Sequence, residues 1–306
     1  MKDVLSLKQA INATIHYFDL FNCPLRVSEI EEFLFGWSAP REVIEANLHE
    51  MPEISCREGM YFLVGREDIV WEKRERLLHS KLLWEKVKKY RFIFRMCPFI
   101  KMVAVFNALS FDNAKEGSDI DLLIVADDKK FATARFFVKA FTQIFKMRVH
   151  HENIAGRFCL SFFVSTKRMN LEQLSYDFDP HLAYLVKSAV PILGEDAYKD
   201  WLETNNKWTS RYFKRNLSPR KFKFSRATPA EFFASLVGKI LELFIMIFGD
   251  RVEKLCAKYL AKREGAHKER TQKKIGIVMD AGVFKFHEND TRRSVAEQFL
   301  KRLALL

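Results

Sequence analysis

The sequence predicts an α+β fold in three consecutive parts. These are three helices and a hairpin over residues 1–66, a small mixed sheet with helices over 67–170 led by a helix at 71–95, and a helical stretch over 171–306. Three observations carry this expectation. Apolar residues recur at helical intervals from the start and then give way to two short strand-like runs. Residues 100–165 change to β-branched apolar runs bounded by turns. From 171 onward the helical spacing returns almost to the end, where 283–287 reads as a short strand before a last helix from about 289. A chain of 306 residues exceeds one small core, so two or three domains are expected. Hydrophobic residues make up 48%, Phe contributes 29, and Gly and Pro are scarce at 11 and 8. That is the composition of a globular, helix-rich protein and not of a low-complexity chain.

In the first part, apolar residues at Leu5, Leu7, Ile11 and Ile15, and at helical intervals between them, predict a helix over 5–17. Asn22, Cys23 and Pro24 break it. Ser28, with Glu31 three residues on, has capping-box spacing and opens a second helix. Ser38 and Pro40 start a third, to about residue 51. Runs 54–56 and 61–64 flank Arg57, Glu58, Gly59 and Met60, which read as a hairpin turn. Three helices and a hairpin are the winged-helix plan. In a DNA-reading version the third helix enters the major groove. Here that segment carries Glu42, Glu45 and Glu50, whose carboxylates repel phosphate. The expected role is packing or binding a protein partner.

In the middle part, 71–94 is a helix rich in Lys and Arg, ended by Pro98. Strands are expected at 102–106, 120–125, 147–151 and 158–164, with a helix at 131–145. This order suits a small mixed sheet with a helix on one face.

The chemistry lies in 103–126, VAVFNALSFDNAKEGSDIDLLIVA. Asp119 and Asp121 are separated by one residue on a strand, so both carboxylates lie on one face, while Ile120 and Leu122 point the other way into a core. Two adjacent carboxylates suit Mg²⁺, which is held by one or two carboxylates plus substrate phosphates. Such an ion assists in-line phosphoryl displacement. A D-x-D pair alone is common on surfaces; its specificity comes from the apolar strand before it, a loop of about a dozen residues, Ser118 just ahead, and the buried strand that follows.

This arrangement resembles the DNA polymerase β-type nucleotidyltransferase superfamily, whose signature is a strand, a Gly-Ser turn, a short loop and Asp-x-Asp. The chain as a whole is similar to bacterial nucleotidyltransferase-domain proteins with an N-terminal winged helix. The resemblance implies a mixed-sheet nucleotidyltransferase core with Asp119 and Asp121 as catalytic metal ligands. It also implies a phosphate-binding loop formed by Asn107, Ala108 and Ser118, Mg²⁺ as cofactor and a nucleoside triphosphate as substrate. Asn107 and Ala108 stand in the Gly-Ser places. Asn tolerates the left-handed geometry of the turn, whereas Ala108 supplies no hydroxyl. Asp112 and Glu116 in the loop disfavour a nearby polyphosphate. The third acid of the family falls on strand 158–164, where Ser161 is the polar candidate. The expected activity is Mg²⁺-dependent transfer of a nucleotidyl group to an unassigned acceptor. The alternative is an inactive relative that binds nucleotide or RNA as a regulatory or scaffold module.

Residues 1–66 hold six Lys/Arg and ten Asp/Glu, so the net +12 of the chain arises after them. A polyanion partner such as RNA is therefore expected in the later parts. Segment 211–226 interleaves Arg211, Lys214, Arg215, Arg220, Lys221 and Lys223 with Tyr212, Phe213, Phe222 and Phe224. That pattern fits single-stranded nucleic-acid contacts as well as a connector packed on its own domain. His150, His151 and Glu152 read as a sheet-edge group, because adjacent strand residues face opposite sides. His181 opens a helix, either as part of its cap region or reaching toward the nucleotide site. The most apolar stretch, 232–248, contains Lys239 and Glu242, falls short of a membrane span and reads as a buried helix, with interfacial membrane contact as the other option. No secretory signal is visible at the start, and Cys23, Cys56, Cys97, Cys159 and Cys256 form no C-x-x-C pair. Reduced thiols in a cytoplasmic protein are expected.

Overall fold

A computed structural model describes residues 5–150, 153–220, 228–270, 277–280, 282–286 and 290–306. Leu7–Asp19 (α1) is closed at its start by a capping box between Ser6 and Gln9. Val27–Phe33 (α2) starts at Arg26 and not at Ser28. The Glu29 carboxylate accepts the Arg26 backbone N–H at 2.7 Å, which places the cap two residues earlier than the Ser28–Glu31 spacing implies. Arg41–Leu48 (α3) follows Pro40. Ile54–Arg57 (β1) and Met60–Leu63 (β2) pair antiparallel. Their two-residue turn, Glu58 and Gly59, has positive φ at both positions, as a tight hairpin requires.

The helix expected at 71–94 is two helices, Ile69–Tyr90 (α4) and Phe92–Met96 (α5). Then come Ile100–Val105 (β3), Ile120–Ala126 (β4), Phe131–Ile144 (α6) and Phe158–Ser165 (β5). The strand expected at 147–151 does not form. Arg148 makes one isolated bridge to Phe158, and His150 bridges back to Asn153. His151 and Glu152 lie outside the described residues.

The last part departs most from expectation. It contains Pro180–Ser188 (α7), Val190–Leu193 (β6), Glu195–Thr209 (α8), Pro229–Ile247 (α9), Asp250–Arg270 (α10), Ile277–Asp280 (β7), Val283–Phe286 (β8) and Arg292–Leu303 (α11). Its strands complete a six-stranded mixed sheet in the order β6-β3-β4-β5-β8-β7. Only β4 and β5 run parallel; the other neighbours are antiparallel. Residues 171–306 therefore do not close on themselves as a helical unit. β6 is an edge strand, and for that reason it tolerates Pro191, which the sequence suggested as a boundary.

Side-chain alternation sorts the sheet into two faces. Met102, Ala104, Leu123, Val125, Phe162 and Val164 belong to one apolar cluster, shared with α1–α3, α7, α8 and α11. Val103, Val105, Ile120, Leu122, Ile124 and Phe163 belong to the other, under α4–α6 and α9. The N-terminal helices join the first face through stacked aromatics. The rings of Tyr17 and Tyr184 lie 3.8 Å apart, and Phe18, Phe33 and Phe111 meet edge-on or tilted.

The stretch 232–248 is not buried as expected. Glu231, Ala234, Gly238 and Ile245 face inward, and most of the large apolar side chains of α9 face out. Among the described residues no single helix is long and apolar enough to cross a membrane.

Candidate functional site

Asp119 precedes β4 and Asp121 is its second residue, on the face occupied further along by Leu123 and Val125. The partner strand β5 brings Cys159 directly opposite Asp121 in parallel register. One carboxylate oxygen from each aspartate and the Cys159 Sγ lie within 4.8 Å of one another. Cys159 is thus the third corner of the cluster. Ser161, the position expected there, stands two residues along the same strand and accepts a hydrogen bond from the Cys159 thiol at 3.2 Å. The reason is a bulge. Asp121 pairs with Cys159 but Leu123 pairs with Phe162, so β5 holds one residue more than β4 in this interval. Sequence reasoning missed Cys159 because register and bulges leave no local signal. The one available hint was that Cys159 and Ser161 must share a face.

Asn107 does what the turn requires. Its φ is +63°, and its side-chain amide donates to Asp121 Oδ2 at 2.9 Å. Residues Asn107–Phe111 form a single 3₁₀ turn and not the opening of a long helix. Ala108 sits half-buried in that turn. Asp112 does not point at the cluster. Its carboxylate accepts from the Trp84 indole at 2.7 Å, and Lys73 holds the Phe111 and Asp112 carbonyls from α4. Phe111 packs on Phe18 and Phe33. Ser118 lies in the loop before Asp119. Its carbonyl accepts from Gly156, and it borders a cavity of about 440 Å³ also lined by His79, Lys86, Lys89 and Lys115.

The electrostatics of the cluster are unusual. Burial raises the Asp121 carboxyl to about 7, with the neighbouring Asp119 charge adding to the rise and the Asn107 and Cys159 hydrogen bonds opposing it. The Asp121 carboxylate is enclosed by protein, although part of the residue still meets solvent. Burial also raises Asp119, and it pushes the Cys159 thiol well above its ordinary range, helped by both carboxylates. Among the described residues no Lys, Arg or His pairs with either aspartate. Two close, enclosed carboxylates without a protein cation fit a hard divalent ion. The Cys159 sulfur is soft, and as a protonated thiol it is a weak ligand for an oxygen-preferring metal such as Mg²⁺.

The basic segment is mostly engaged in the fold. Arg211 pairs with Glu172, and Arg215 with Glu31 at 3.0 Å. Arg220 donates to the Ser110 and Ser188 carbonyls at 2.9 and 2.8 Å and approaches Glu32. Tyr212 and Phe213 are buried in the first core, so these rings do not offer faces to bases. Lys214 is exposed. Lys221, Lys223, Phe222 and Phe224 lie outside the described residues. His181 is a core histidine. Its Nδ1 meets the Tyr17 hydroxyl at 2.7 Å, its ring stacks on Phe21, and burial lowers it to about 4, with Arg292 contributing.

Comparison of the chain with protein-family models, curated proteins and solved structures returns no match.

Proposed function

We propose that the protein is a nucleotidyltransferase of the DNA polymerase β type, with Asp119 and Asp121 holding Mg²⁺ for transfer of a nucleotidyl group from a nucleoside triphosphate. The observation that carries this reading is the enclosed aspartate pair, oriented by Asn107 and lacking any cation of its own among the described residues. The N-terminal helices and hairpin are read as a winged helix for packing or a protein partner. Glu42, Glu45 and Glu50 are exposed on or next to α3, which disfavours DNA. The cavity beside Ser118 adds support. Lys86, Lys89 and Lys115 outnumber Glu85 along its lining, a balance suited to phosphates.

When bound, the ion would polarise the α-phosphate. The acceptor oxygen bonds to the α-phosphorus, the α–β bridging bond breaks, and pyrophosphate leaves. Asp119 and Asp121 would hold the ion, and Asn107 fixes the Asp121 carboxylate. The Cys159 thiol, held protonated by burial and the two carboxylates, is a poor group to take the acceptor's proton.

That last point favours a second reading. With Cys159 in place of a third acid and Ala108 in place of a hydroxyl, the site suits binding of a metal–nucleotide complex, or of RNA, by a regulatory module without turnover. Calorimetric titration with each nucleoside triphosphate, with and without Mg²⁺, beside Asp119→Ala/Asp121→Ala tests both. Metal-dependent binding abolished in the double variant supports the site. Transfer of labelled nucleotide then separates enzyme from binder, and no binding by the wild type rejects both.

A further inference from the structure

Helices α9 and α10 invert the usual arrangement of a surface helix. Phe232, Phe233, Ile240, Leu243, Phe244 and Ile247 all face solvent, with Phe232 and Ile247 69% and 73% exposed. The charged side chains that would be expected outside are turned inward instead. Glu231 is buried against Arg91 and Arg95, and Glu242 accepts the Phe99 backbone N–H at 2.7 Å. On α10, Glu253 accepts from the Ala132 and Thr133 N–H groups and the Thr133 hydroxyl, and Glu264 holds Arg135 and Lys139. These four glutamates recur every eleven residues, three helical turns apart, so each helix keeps its acids on its inner side. Among the described side chains, what remains outside is chiefly apolar or basic: Lys239 on α9, and Arg251, Lys254, Lys258, Lys262 and Arg263 on α10 beside Leu255 and Tyr259. The exposed acid Asp250, at the corner between the helices, is paired with Lys130.

The orientation of α9 is fixed by close packing. Gly238 lies so near the Arg95 carbonyl that a Cβ there would come within 2.4 Å of it. The two helices meet at 104°. Large contiguous apolar surface of this kind marks an interaction site. Its charge selects the partner. A second copy docked through the same face would bring cations against cations, whereas an anionic surface meets only complementary charge.

We propose that α9 and α10 dock this protein on an anionic lipid bilayer, with α9 lying in the plane of the interface and the cations of α10 engaging lipid phosphates. An in-plane helix buries its apolar face at the headgroup boundary while basic residues hold the surface. α9 packs on α5 and α10 on α6, the helices that cover the sheet face opposite Asp119 and Asp121, so docking leaves the aspartate cluster facing away from the lipid.

The test is flotation of the full chain with phosphatidylcholine vesicles containing none or about 30% phosphatidylglycerol. The wild type is expected to float with the anionic vesicles and to be released as ionic strength rises. Two variants, Phe232→Ser/Leu243→Ser/Ile247→Ser and Lys254→Glu/Lys258→Glu/Lys262→Glu, each lower partitioning about ten-fold or more while keeping the circular dichroism of the wild type. Should either variant misfold, the lipid-charge and salt dependence of the wild type decides alone. Wild-type protein that stays in solution with anionic vesicles overturns the proposal. So does a dimer in light scattering that the apolar triple variant dissociates while vesicle binding is absent.

Discussion

Two groups of buried carboxylates in this molecule are treated in opposite ways. Asp290 is enclosed beside α11, where Arg292 donates to both its oxygens at 2.8–3.0 Å and Lys285 adds a further contact. Burial alone would raise its carboxyl, but the hydrogen bonds from Arg292 and Lys285 outweigh it and hold the group well below the ordinary range. Arg292 also reaches Asp179, which caps α7. Asp119 and Asp121 are enclosed too, yet no described side chain brings them a positive charge, and both carboxyls rise. Where Asp290 and Asp179 serve the fold, Arg292 supplies their cation. Where none is supplied, the arrangement suits a cation that arrives from outside.

The largest expected effect breaks the first group. Arg292→Ala leaves Asp290 and Asp179 enclosed without their guanidinium, and should lower unfolding free energy by roughly 3–5 kcal/mol in urea denaturation. Asp121→Asn should act in the other direction. The folded Asp121 carboxyl keeps its proton up to about pH 7, while in the unfolded chain it is released near pH 4. The folded state therefore binds more protons in that window, and stability falls as pH rises from 4 to 7. In cation-free buffer at pH 8, Asp121→Asn should be more stable than wild type by roughly 1–3 kcal/mol. Added Mg²⁺ should raise the wild-type Tm and leave the variant unmoved. A destabilised Asp121→Asn in cation-free buffer would erase the contrast between the two groups.

Cys159→Asp sharpens the contrast by making the cluster a three-acid site. It should raise divalent-ion affinity about ten-fold in calorimetry and lower stability further when no ion is present. The smallest effect concerns His181, which burial lowers to about 4. Its contribution is present above about pH 6.5 and lost as pH falls toward 4, with a slope of about 1 kcal/mol per pH unit near pH 5. His181→Asn should lack that slope. The comparison is best made in the Asp121→Asn background, because the two titrations oppose each other over the same range.

The parts that were legible in the sequence are those governed by local rules. Strand alternation put Asp119 and Asp121 on one face and Ile120 and Leu122 in the opposite core, and the tolerance of Asn for left-handed backbone is realised at Asn107. The Glu58–Gly59 turn follows from its residues. What was not legible depends on distant partners. Cys159 takes the third corner because of a bulge in β5, which leaves no mark in composition. β6 was hidden by Pro191, a breaker everywhere except at a sheet edge. The three arginines at 211, 215 and 220 fit a nucleic-acid stripe as well as a connector until their acceptors, on α2 and in distant loops, are seen. The outward face of α9 could not be told from a core helix, since apolar periodicity gives no hint of what covers it.

The strand order also bears on how the chain is made. β3, β4 and β5 fall within residues 100–165 and pair with one another, so the centre of the sheet can assemble soon after it leaves the ribosome. Its two flanks cannot. β3 waits for β6 at 190–193, and β5 waits until β8 at 283–286 has been synthesised, more than a hundred residues later. Until then β5 is exposed as an uncovered edge of the nascent sheet, the condition under which strands recruit wrong partners. Translation pauses or truncations before residue 286 should therefore yield aggregation-prone chains even though both aspartates are already in place.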